Sequence, residues 1–284
     1  MFDQILFPLA KRFVSGQTVE EAVGAVRRLN ELGISTTLDV LGENVTDPRS
    51  AAAAVSSYLE TLNQIQETRI DSNVSLKLTQ MGLNISRDFC FSNLVHICEK
   101  ASACNSFVRI DMEGSDYTEK TLVLFYDLFQ QHKNVGMVIQ AYLHRSEEDV
   151  RQLIQMGARV RLCKGAYKEL PSVALQKMPE IRENFKKLAE QLLLHGNYPS
   201  MATHDDLLIS WVKQFSSAHK ISNDRFEFQM LYGVRADTQR RLVAEGYNMR
   251  VYVPYGTHWL PYFYRRLRER KENVYFVLKN LFKA

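Results

Sequence analysis

Short apolar runs rich in β-branched residues recur along the chain, and segments with helical spacing separate them. There are eight runs: TTLDVLG (36–42), VSLKL (74–78), FVRIDM (107–112), GMVIQAY (136–142), RVRLCKG (159–165), SMATH (200–204), FEFQML (226–231) and RVYVPYG (250–256). Strands that alternate with helices form parallel sheets, and eight of them close into a barrel. The pattern therefore predicts an α/β fold, a (β/α)8 TIM-type barrel.

A doubly wound open sheet also alternates strand and helix, so it is the main alternative. That fold would need a glycine-rich phosphate turn after an early strand, and the sequence contains no G-x-G-x-x-G. The closed barrel is favoured because the number of runs matches.

The segments between the runs support helices. Residues 47–66, 146–157 and 236–247 carry apolar side chains at helical spacing, and we expect Asp or Ser caps at most of their starts. Gly157 and Gly246 stand where helices should end.

Thr18 and Glu21 form a T-x-x-E capping box, which predicts an extra helix before the first strand. No Pro/Gly-rich linker interrupts the chain, so we expect one domain over 1–284, with N-terminal helices in 1–33 and the barrel and C-terminal helices in 34–284.

Composition limits the possible partners and the compartment. The 284 residues are 45% hydrophobic with a formal net charge of +4, which supports a full-sized core and argues against a general sleeve for nucleic acid. The four cysteines lack CxxC spacing, so neither a zinc site nor a disulfide framework is expected and a reducing compartment fits best. The first residues resemble neither a signal peptide nor a membrane span, so we expect a cytoplasmic protein.

Polar residues interrupt several runs, where a charge is costly unless it is paired or bound. They are Lys77, Asp111, Gln140, Arg161, Lys164, His204 and Tyr252. In a barrel, chemistry gathers at the C-terminal ends of the strands, so these side chains are candidates for the site.

Each candidate also has a structural interpretation. Lys77 and Asp111 could form a buried ion pair, His204 could be a satisfied core histidine, and Gln140 could bond only to backbone. Arg161 and Lys164 are harder to explain structurally, because two cations beside a glycine suit a phosphate or an electron-rich ring. A metal held by Asp111, Glu113 and His204 is disfavoured, because no HxH or HExxH spacing occurs and cations lie nearby.

The stretch PYFYRRLRER (261–270) follows the eighth run and predicts a helix that begins at or near Pro261. Tyr262, Arg265, Arg266 and Glu269 fall on one face at spacings i, i+3, i+4 and i+7, whereas Arg268 and Arg270 turn toward water. This could be a solvated basic face. Next to a barrel mouth, however, two guanidiniums, a phenol and a carboxylate form a clamp for a small amino acid.

With these residues identified, the sequence closely resembles the proline dehydrogenase family in its short, single-function bacterial form. The match begins at TTLDVLGE, and the seven motifs that carry it are SLKL, RIDME, VIQAY, VRLCKGAY, ATHD, EFQMLYG and the run from RVYVPYG through YFYRRLRERKEN. They occur in the family's order and cover nearly all of the chain from residue 36 onward.

The resemblance implies a distorted (β/α)8 barrel that binds FAD, oxidises L-proline to 1-pyrroline-5-carboxylate and passes electrons to a membrane quinone. On the substrate side it implies that Arg265 and Arg266 hold the carboxylate and that Glu269 fixes them. The rest of the substrate-side set is Lys77 and Asp111 at the floor, Tyr252 and Tyr262 as walls, and Leu231 nearby.

On the cofactor side, the resemblance implies that Arg161 approaches the reacting nitrogen of the flavin and Gln140 its ring. The other cofactor residues it implies are Cys163, Lys164, Gly165, Ala166, Thr203 and His204. It also implies that Glu43 pairs with Arg265 in the absence of substrate.

Two positions depart from the family pattern. Cys163 stands where valine is frequent, and Lys168 replaces an aromatic residue of the larger bifunctional relatives, which leaves the adenine contact unassigned. Tyr262 resembles proline-specific members, so hydroxyproline is expected to be a poor substrate. We expect a separate pyrroline-5-carboxylate dehydrogenase to take the product, since neither a DNA-binding arm nor an aldehyde dehydrogenase domain is recognised.

Other classes of function predict different observations. An amino-acid sensor would not need Arg161 and Lys164 for a cofactor, a different flavin-dependent reductase would respond to NAD(P)H, and nucleic-acid binding through RRLRERK would depend steeply on salt. The C-terminal VYFVLKNLFKA could lie on the inner face of the cell membrane or pack as a last core helix.

Overall fold

The computed structural model describes residues 7–269, and the side chains of residues 7–267. In this part of the chain the sheet is a closed barrel of parallel strands in sequence order, β1 to β8. The strands are β1 (Ser35–Val40), β2 (Ser72–Leu76), β3 (Val108–Ile110), β4 (Val135–Gln140), β5 (Arg159–Cys163), β6 (Ser200–Ala202), β7 (Glu227–Leu231) and β8 (Asn248–Tyr255).

The barrel closes between its first and last strands. β1 pairs with β2 on one side and with β8 on the other, in a register that places Thr36 opposite Val251 and Val40 opposite Tyr255. The predicted barrel is thereby confirmed, and the open sheet is wrong because no strand is left at an edge within the described residues.

Helices surround the barrel. They are α1 (Val19–Asn30), α2 (Pro48–Thr68), α3 (Arg87–Ala103), α4 (Ser115–Gln131), α5 (Ser146–Gln155), α6 (Met178–His195), α7 (Asp206–Ala218), α8 (Ala236–Ala244) and α9 (Trp259–Glu269). Their inner faces and the outer faces of the strands form the main hydrophobic core.

The predicted helix caps are confirmed in part. Asp47 caps α2 through a bond from the backbone N–H of Ser50, and the Thr18–Glu21 box caps α1. The expectation of Asp or Ser caps is wrong for α5 and α8, which begin after Arg145 and Arg235 without a side-chain cap. In α5 the acidic residues of the first turn stabilise the helix dipole instead.

Helix α9 lies on a hydrophobic cluster that is separate from the main core. Residues 7–14, which we call the N-terminal seat, contribute Phe7, Ala10, Phe13 and Val14 to this cluster. The rings of Phe13 and Phe263 are 6.3 Å apart, and those of Phe7 and Trp259 are 5.4 Å apart. The position of α9 therefore depends on the beginning of the described chain.

Charged residues also fill the N-terminal end of the barrel. Glu227 is buried and its carboxylate lies 3.0 Å from Nε of Arg250, with Ser200 and Gln229 donating to it. Burial alone would raise the pKa of Glu227. Arg250 and the hydrogen bonds lower it by more than burial raises it, so the pKa lies below its ordinary value. This end of the barrel is therefore a paired ionic core.

None of the described helices is both long enough and apolar enough to span a membrane.

Candidate active site

A cavity of about 1060 Å³ opens at the C-terminal end of the barrel. Fifteen of the sixteen residues that sequence reasoning assigned to the site line it: Lys77, Asp111, Gln140, Arg161, Cys163, Lys164, Gly165, Ala166, Thr203, His204, Leu231, Tyr252, Tyr262, Arg265 and Arg266. The sixteenth, Glu269, ends α9, and its side chain lies outside the described residues. The side chain of Arg268 and the whole of Arg270, both expected to face water, also lie outside the described part of the chain.

Several of these residues are one or two positions beyond their strands. β2 ends at Leu76 and β3 at Ile110, so Lys77 and Asp111 are the first residues of the loops that follow. Arg161 and Tyr252, in contrast, lie within β5 and β8. The site thus combines rim residues with side chains from inside the barrel.

Asp111 is the centre of the hydrogen-bond network. Its carboxylate accepts bonds from Nη1 of Arg161 at 2.8 Å, from Oγ of Ser75 at 2.6 Å and from the hydroxyl of Tyr252 at 2.7 Å. The guanidinium of Arg161 also lies 5.3 Å from the centre of the Tyr252 ring. Three strands separated in sequence therefore place their polar groups on one carboxylate.

Lys77 has a closer partner than the one its sequence position suggested. Its Nζ is 3.3 Å from Oδ1 of Asp39 and 3.8 Å from Oδ2 of Asp111. Burial alone would lower the pKa of Lys77, but the two carboxylates raise it above its ordinary value. Asp39 is fully buried, and burial raises its pKa despite the charge of Lys77. Lys77 is therefore a buried ammonium flanked by two acids.

Arg265 and Arg266 project from α9 into the cavity. Nη1 of Arg265 lies 2.8 Å and 3.0 Å from the two oxygens of Glu43, the pairing that the family resemblance implied. Arg266 is buried, with its guanidinium 5.1 Å from the centre of the Tyr262 ring. α9 begins at Trp259, two residues before the predicted start at or near Pro261, so Pro261 is its third residue. A carboxylate bound at Arg265 must compete with Glu43.

The loop after β5 shapes the opposite wall. Gly165 has φ +125°, and a Cβ there would lie 2.4 Å from the ring of Tyr142, so only glycine fits. The backbone N–H of Ala166 donates to Oε1 of Gln140 at 3.2 Å, while Nε2 of Gln140 donates to the carbonyl of Glu113 at 2.9 Å. Gln140 bonds to backbone, as one interpretation expected, and it also lines the cavity.

His204 and Lys164 have partners too. Nε2 of His204 accepts from the backbone N–H of Leu231 at 3.0 Å. Asp205 accepts from Nζ of Lys164 at 3.0 Å and from Nε of Arg182 at 2.8 Å. A buried carboxylate therefore holds two cations at the edge of the cavity.

The polar residues of this region that the sequence analysis did not assign include Asp39, Tyr167, Glu169, Arg182 and Asp205. Asp39 interrupts the apolar run TTLDVLG just as Asp111 interrupts its own run, so the same criterion would have found it. Tyr167 follows the glycine loop directly, and Asp205 caps α7 in ATHD. Arg182 lies inside α6, and no local pattern distinguishes it from a surface arginine.

The lining carries an excess of positive charge. Within the described part of the chain, eight lysine and arginine side chains and four carboxylates line the cavity. This excess equals the formal charge of +4 for the whole sequence. Such a cavity favours an anionic ligand over a neutral one.

Comparisons with known proteins agree with this geometry. The family model described as proline dehydrogenase matches residues 22–279. Proline dehydrogenase 2 of Bacillus subtilis is 42% identical over 274 residues, which cover 96% of this chain and 90% of that protein. Proline dehydrogenase of Deinococcus radiodurans is 38% identical over 286 residues and covers 99% and 92%, respectively.

A solved structure shares the fold. Proline utilization A of Bdellovibrio bacteriovorus, inactivated by N-propargylglycine, superposes with a TM-score of 0.87 at 25% identity. The match covers 94% of this chain and 33% of that larger chain. By family model, relatives and fold together, the chain belongs to the proline dehydrogenase family, enzymes of proline oxidation in proline catabolism.

Proposed function

We propose that the chain oxidises L-proline to 1-pyrroline-5-carboxylate with FAD as cofactor and that the electrons pass on to a quinone. The observation that carries the proposal is that two groups of side chains line the same cavity. The arginine face of α9 lies on one side, and the cluster of Asp111, Arg161 and Tyr252 lies on the other.

The substrate side suits a small cyclic amino acid. Arg265 and Arg266 can bind its carboxylate through charge-assisted bonds, and Tyr252 and Tyr262 offer ring faces to its apolar part. Oxidation removes a hydride from the carbon beside the ring nitrogen and a proton from the nitrogen, which leaves a C=N bond. Burial favours the neutral amine that this reaction requires.

The cofactor side fits a flavin dinucleotide. Nε of Arg161 is buried and makes no hydrogen bond to any described residue, so it is available to an acceptor in the cavity. Gly165 lets the loop pack on the ring of Tyr142, where any side chain would clash, and Lys164 supplies a cation for a phosphate. FAD, when bound, supplies the hydride acceptor. Arg161 is then placed to stabilise negative charge at the ring, and Gln140, Cys163, Ala166, Thr203 and His204 complete the wall.

Asp111 organises both sides. It neutralises Arg161, orients the hydroxyl of Tyr252 and attracts Lys77, so a single carboxylate fixes the walls and the floor of the cavity. Each bond to an ionised partner contributes about 1.5–3 kcal/mol. The chain's residues are thus preorganised to bind the amino acid and to hold it against the cofactor.

The later steps extend the proposal. A quinone as electron acceptor calls for contact with a membrane, at the inner face of the cell membrane, and a separate pyrroline-5-carboxylate dehydrogenase would consume the product. The segment VYFVLKNLFKA, which could provide such contact, lies outside the described residues.

An anaerobic titration with L-proline tests the proposal, with the visible flavin absorption as the signal. We expect a yellow protein that bleaches with proline, and an Arg265→Met variant that needs about a hundredfold more proline because it lacks the charged donor. A yellow protein that responds to NAD(P)H but not to proline would indicate a different flavin-dependent reductase. A protein that stays colourless with added FAD would favour the amino-acid sensor.

A further inference from the structure

We infer that Glu169 is a positioning residue. It binds the loop after β5 to the N-terminus of α4, and so it fixes the positions of Tyr167 and of the cofactor-side residues 164–166. The inference rests on the proposed function for its catalytic consequence. Its structural basis is independent of that function, because it lies in contacts between two segments of the chain that carry different parts of the site.

Helix α4 begins at Ser115. This helix has Gly114 at its N-cap position, so it lacks the side-chain acceptor that usually satisfies the first backbone donors. Glu169 supplies the acceptor from 54 residues further along the chain. One carboxylate oxygen accepts from the backbone N–H of Ser115 at 2.8 Å, and the other accepts from its hydroxyl. The negative charge also complements the helix dipole.

The ring of Tyr167 lies beside this contact. A Cβ on Gly114 would lie 3.6 Å from Oε1 of Glu169 and 4.0 Å from Cδ1 of Tyr167. The Tyr167 ring and the carboxylate therefore rest side by side on the same turn. This turn continues directly from Asp111, the centre of the substrate-side network. Glu169 thereby links the loop to the floor of the cavity.

The loop that carries Glu169 is also held at both of its ends. Its N-terminal end is fixed where Gly165 packs on the ring of Tyr142. Its C-terminal end is fixed by Leu175, whose N–H donates to the carbonyl of Tyr142, and by Val173, whose carbonyl accepts from the N–H of His144. Both of these anchors belong to the β4–α5 side. Glu169 fastens the middle of the loop to the β3–α4 side, across the cavity wall.

Tyr167 is the residue that this contact places. It lines the cavity, where burial raises its pKa to about 12 and the charges of Lys77 and Arg265 act on it. On the same stretch are Lys164, Gly165 and Ala166, assigned to the cofactor. Release of Glu169 should therefore disturb the substrate wall and cofactor retention together.

Four variants test the inference: Glu169→Ala, Glu169→Gln, Ser115→Ala and the double variant Glu169→Ala/Ser115→Ala. Glu180→Ala is the matched control, since Glu180 is an exposed acid whose partner is Lys177 and it does not line the cavity. Three readouts are used: hydrogen exchange of peptides covering 164–176 and 112–118, the rate at which FAD is released, and the split between KM and kcat for proline.

For Glu169→Ala we expect faster exchange in both peptides, about tenfold faster release of FAD and a raised KM with a smaller change in kcat. Glu169→Gln keeps an acceptor for the Ser115 N–H, so its exchange, FAD release and KM should stay close to those of the parent protein. The double variant should be no worse than Glu169→Ala, because both changes remove one interaction. Glu180→Ala should match the parent protein in all three readouts.

The inference is overturned if Glu169→Ala exchanges like Glu180→Ala in the 164–176 peptide. It is also overturned if exchange rises in Glu169→Ala while FAD release and KM stay unchanged, because the contact would then be structural only. Failure of the proposed function has a different signature: the parent protein itself would not bleach with proline, while the exchange measurement would still report on the contact.

Discussion

Asp111 shows how one buried acid can determine the geometry of a whole site. It binds a guanidinium, a serine hydroxyl and a phenol, each from a different strand. A carboxylate with three donors is held in one orientation, so the groups bound to it are held as well. Removing one donor should therefore misplace the others without unfolding the barrel.

Tyr252→Phe tests this expectation. The change removes the hydroxyl that donates to Asp111 but keeps the ring, so kcat/KM for proline should fall about tenfold to a hundredfold, as expected for one lost bond to an ionised partner. Tyr255→Phe is the control, because Tyr255 lies in the same strand and its hydroxyl pairs with Thr61 outside the cavity. Equal losses in the two variants, measured by steady-state kinetics, would contradict the assignment.

Tyr262 gives a prediction about specificity. It is buried on α9 against the guanidinium of Arg266, and it lines the cavity. We expect Tyr262→Ser to gain turnover of hydroxyproline and to lose affinity for proline, because the smaller residue leaves room for the extra hydroxyl of the substrate and removes a packing surface. Kinetics with both amino acids measure this. If the variant gains no turnover of hydroxyproline, Tyr262 does not determine the substrate specificity.

At the level of elements, α9 and the N-terminal seat act as a unit. Phe13→Ala removes a fully buried ring that packs on Phe263, and α9 carries the arginine clamp. We expect a KM for proline raised about tenfold or more, because the helix loses part of the surface that fixes its position. Proline kinetics and thermal unfolding measure the two effects.

Phe185→Ala provides the comparison. Phe185 is equally buried but belongs to the main core, on α6. Its loss should lower stability by about 3–5 kcal/mol and leave the KM of the folded fraction unchanged. If the KM rises equally in both variants, the seat has no special relation to the clamp.

For the whole molecule, the ionic core at the N-terminal end of the barrel predicts a pH dependence of stability. The folded-state pKa of Glu227 is lowered, so its contribution is present above its ordinary value of 4.5 and is lost as the pH falls through the folded-state pKa. Glu227→Gln should lower the free energy of unfolding by about 3 kcal/mol near neutral pH, because Arg250 loses its counter-ion.

Urea unfolding of the parent and the variant measures this difference. At about pH 7 the difference in the free energy of unfolding should be full, and at about pH 3 it should be smaller, because Glu227 of the unfolded parent is protonated below its ordinary pKa of 4.5. A gap that stays constant across this range would mean that shape, and not charge, accounts for the effect.

The sequence predicted the barrel well, because its strands are buried runs whose pattern depends on local residues. Of the sixteen site residues it predicted, fifteen line the cavity, and Lys77 and Asp111 could be found because they are charges in apolar runs. It did not reveal that Lys77 pairs more closely with Asp39 than with Asp111, because that choice depends on how adjacent strands are staggered. Glu169 was missed because its partner Ser115 becomes a neighbour only after the barrel has closed.

The ion pair between Arg265 and Glu43 joins residues 222 positions apart, and β1 finds its second neighbour only in β8. During synthesis, the early half of the barrel must leave the ribosome with one side of its first strand unpaired and before the arginine clamp of α9 has been made. A site that binds its ligand as proposed can therefore form only after α9 has emerged. A complete site therefore exists only in chains whose synthesis has proceeded through α9.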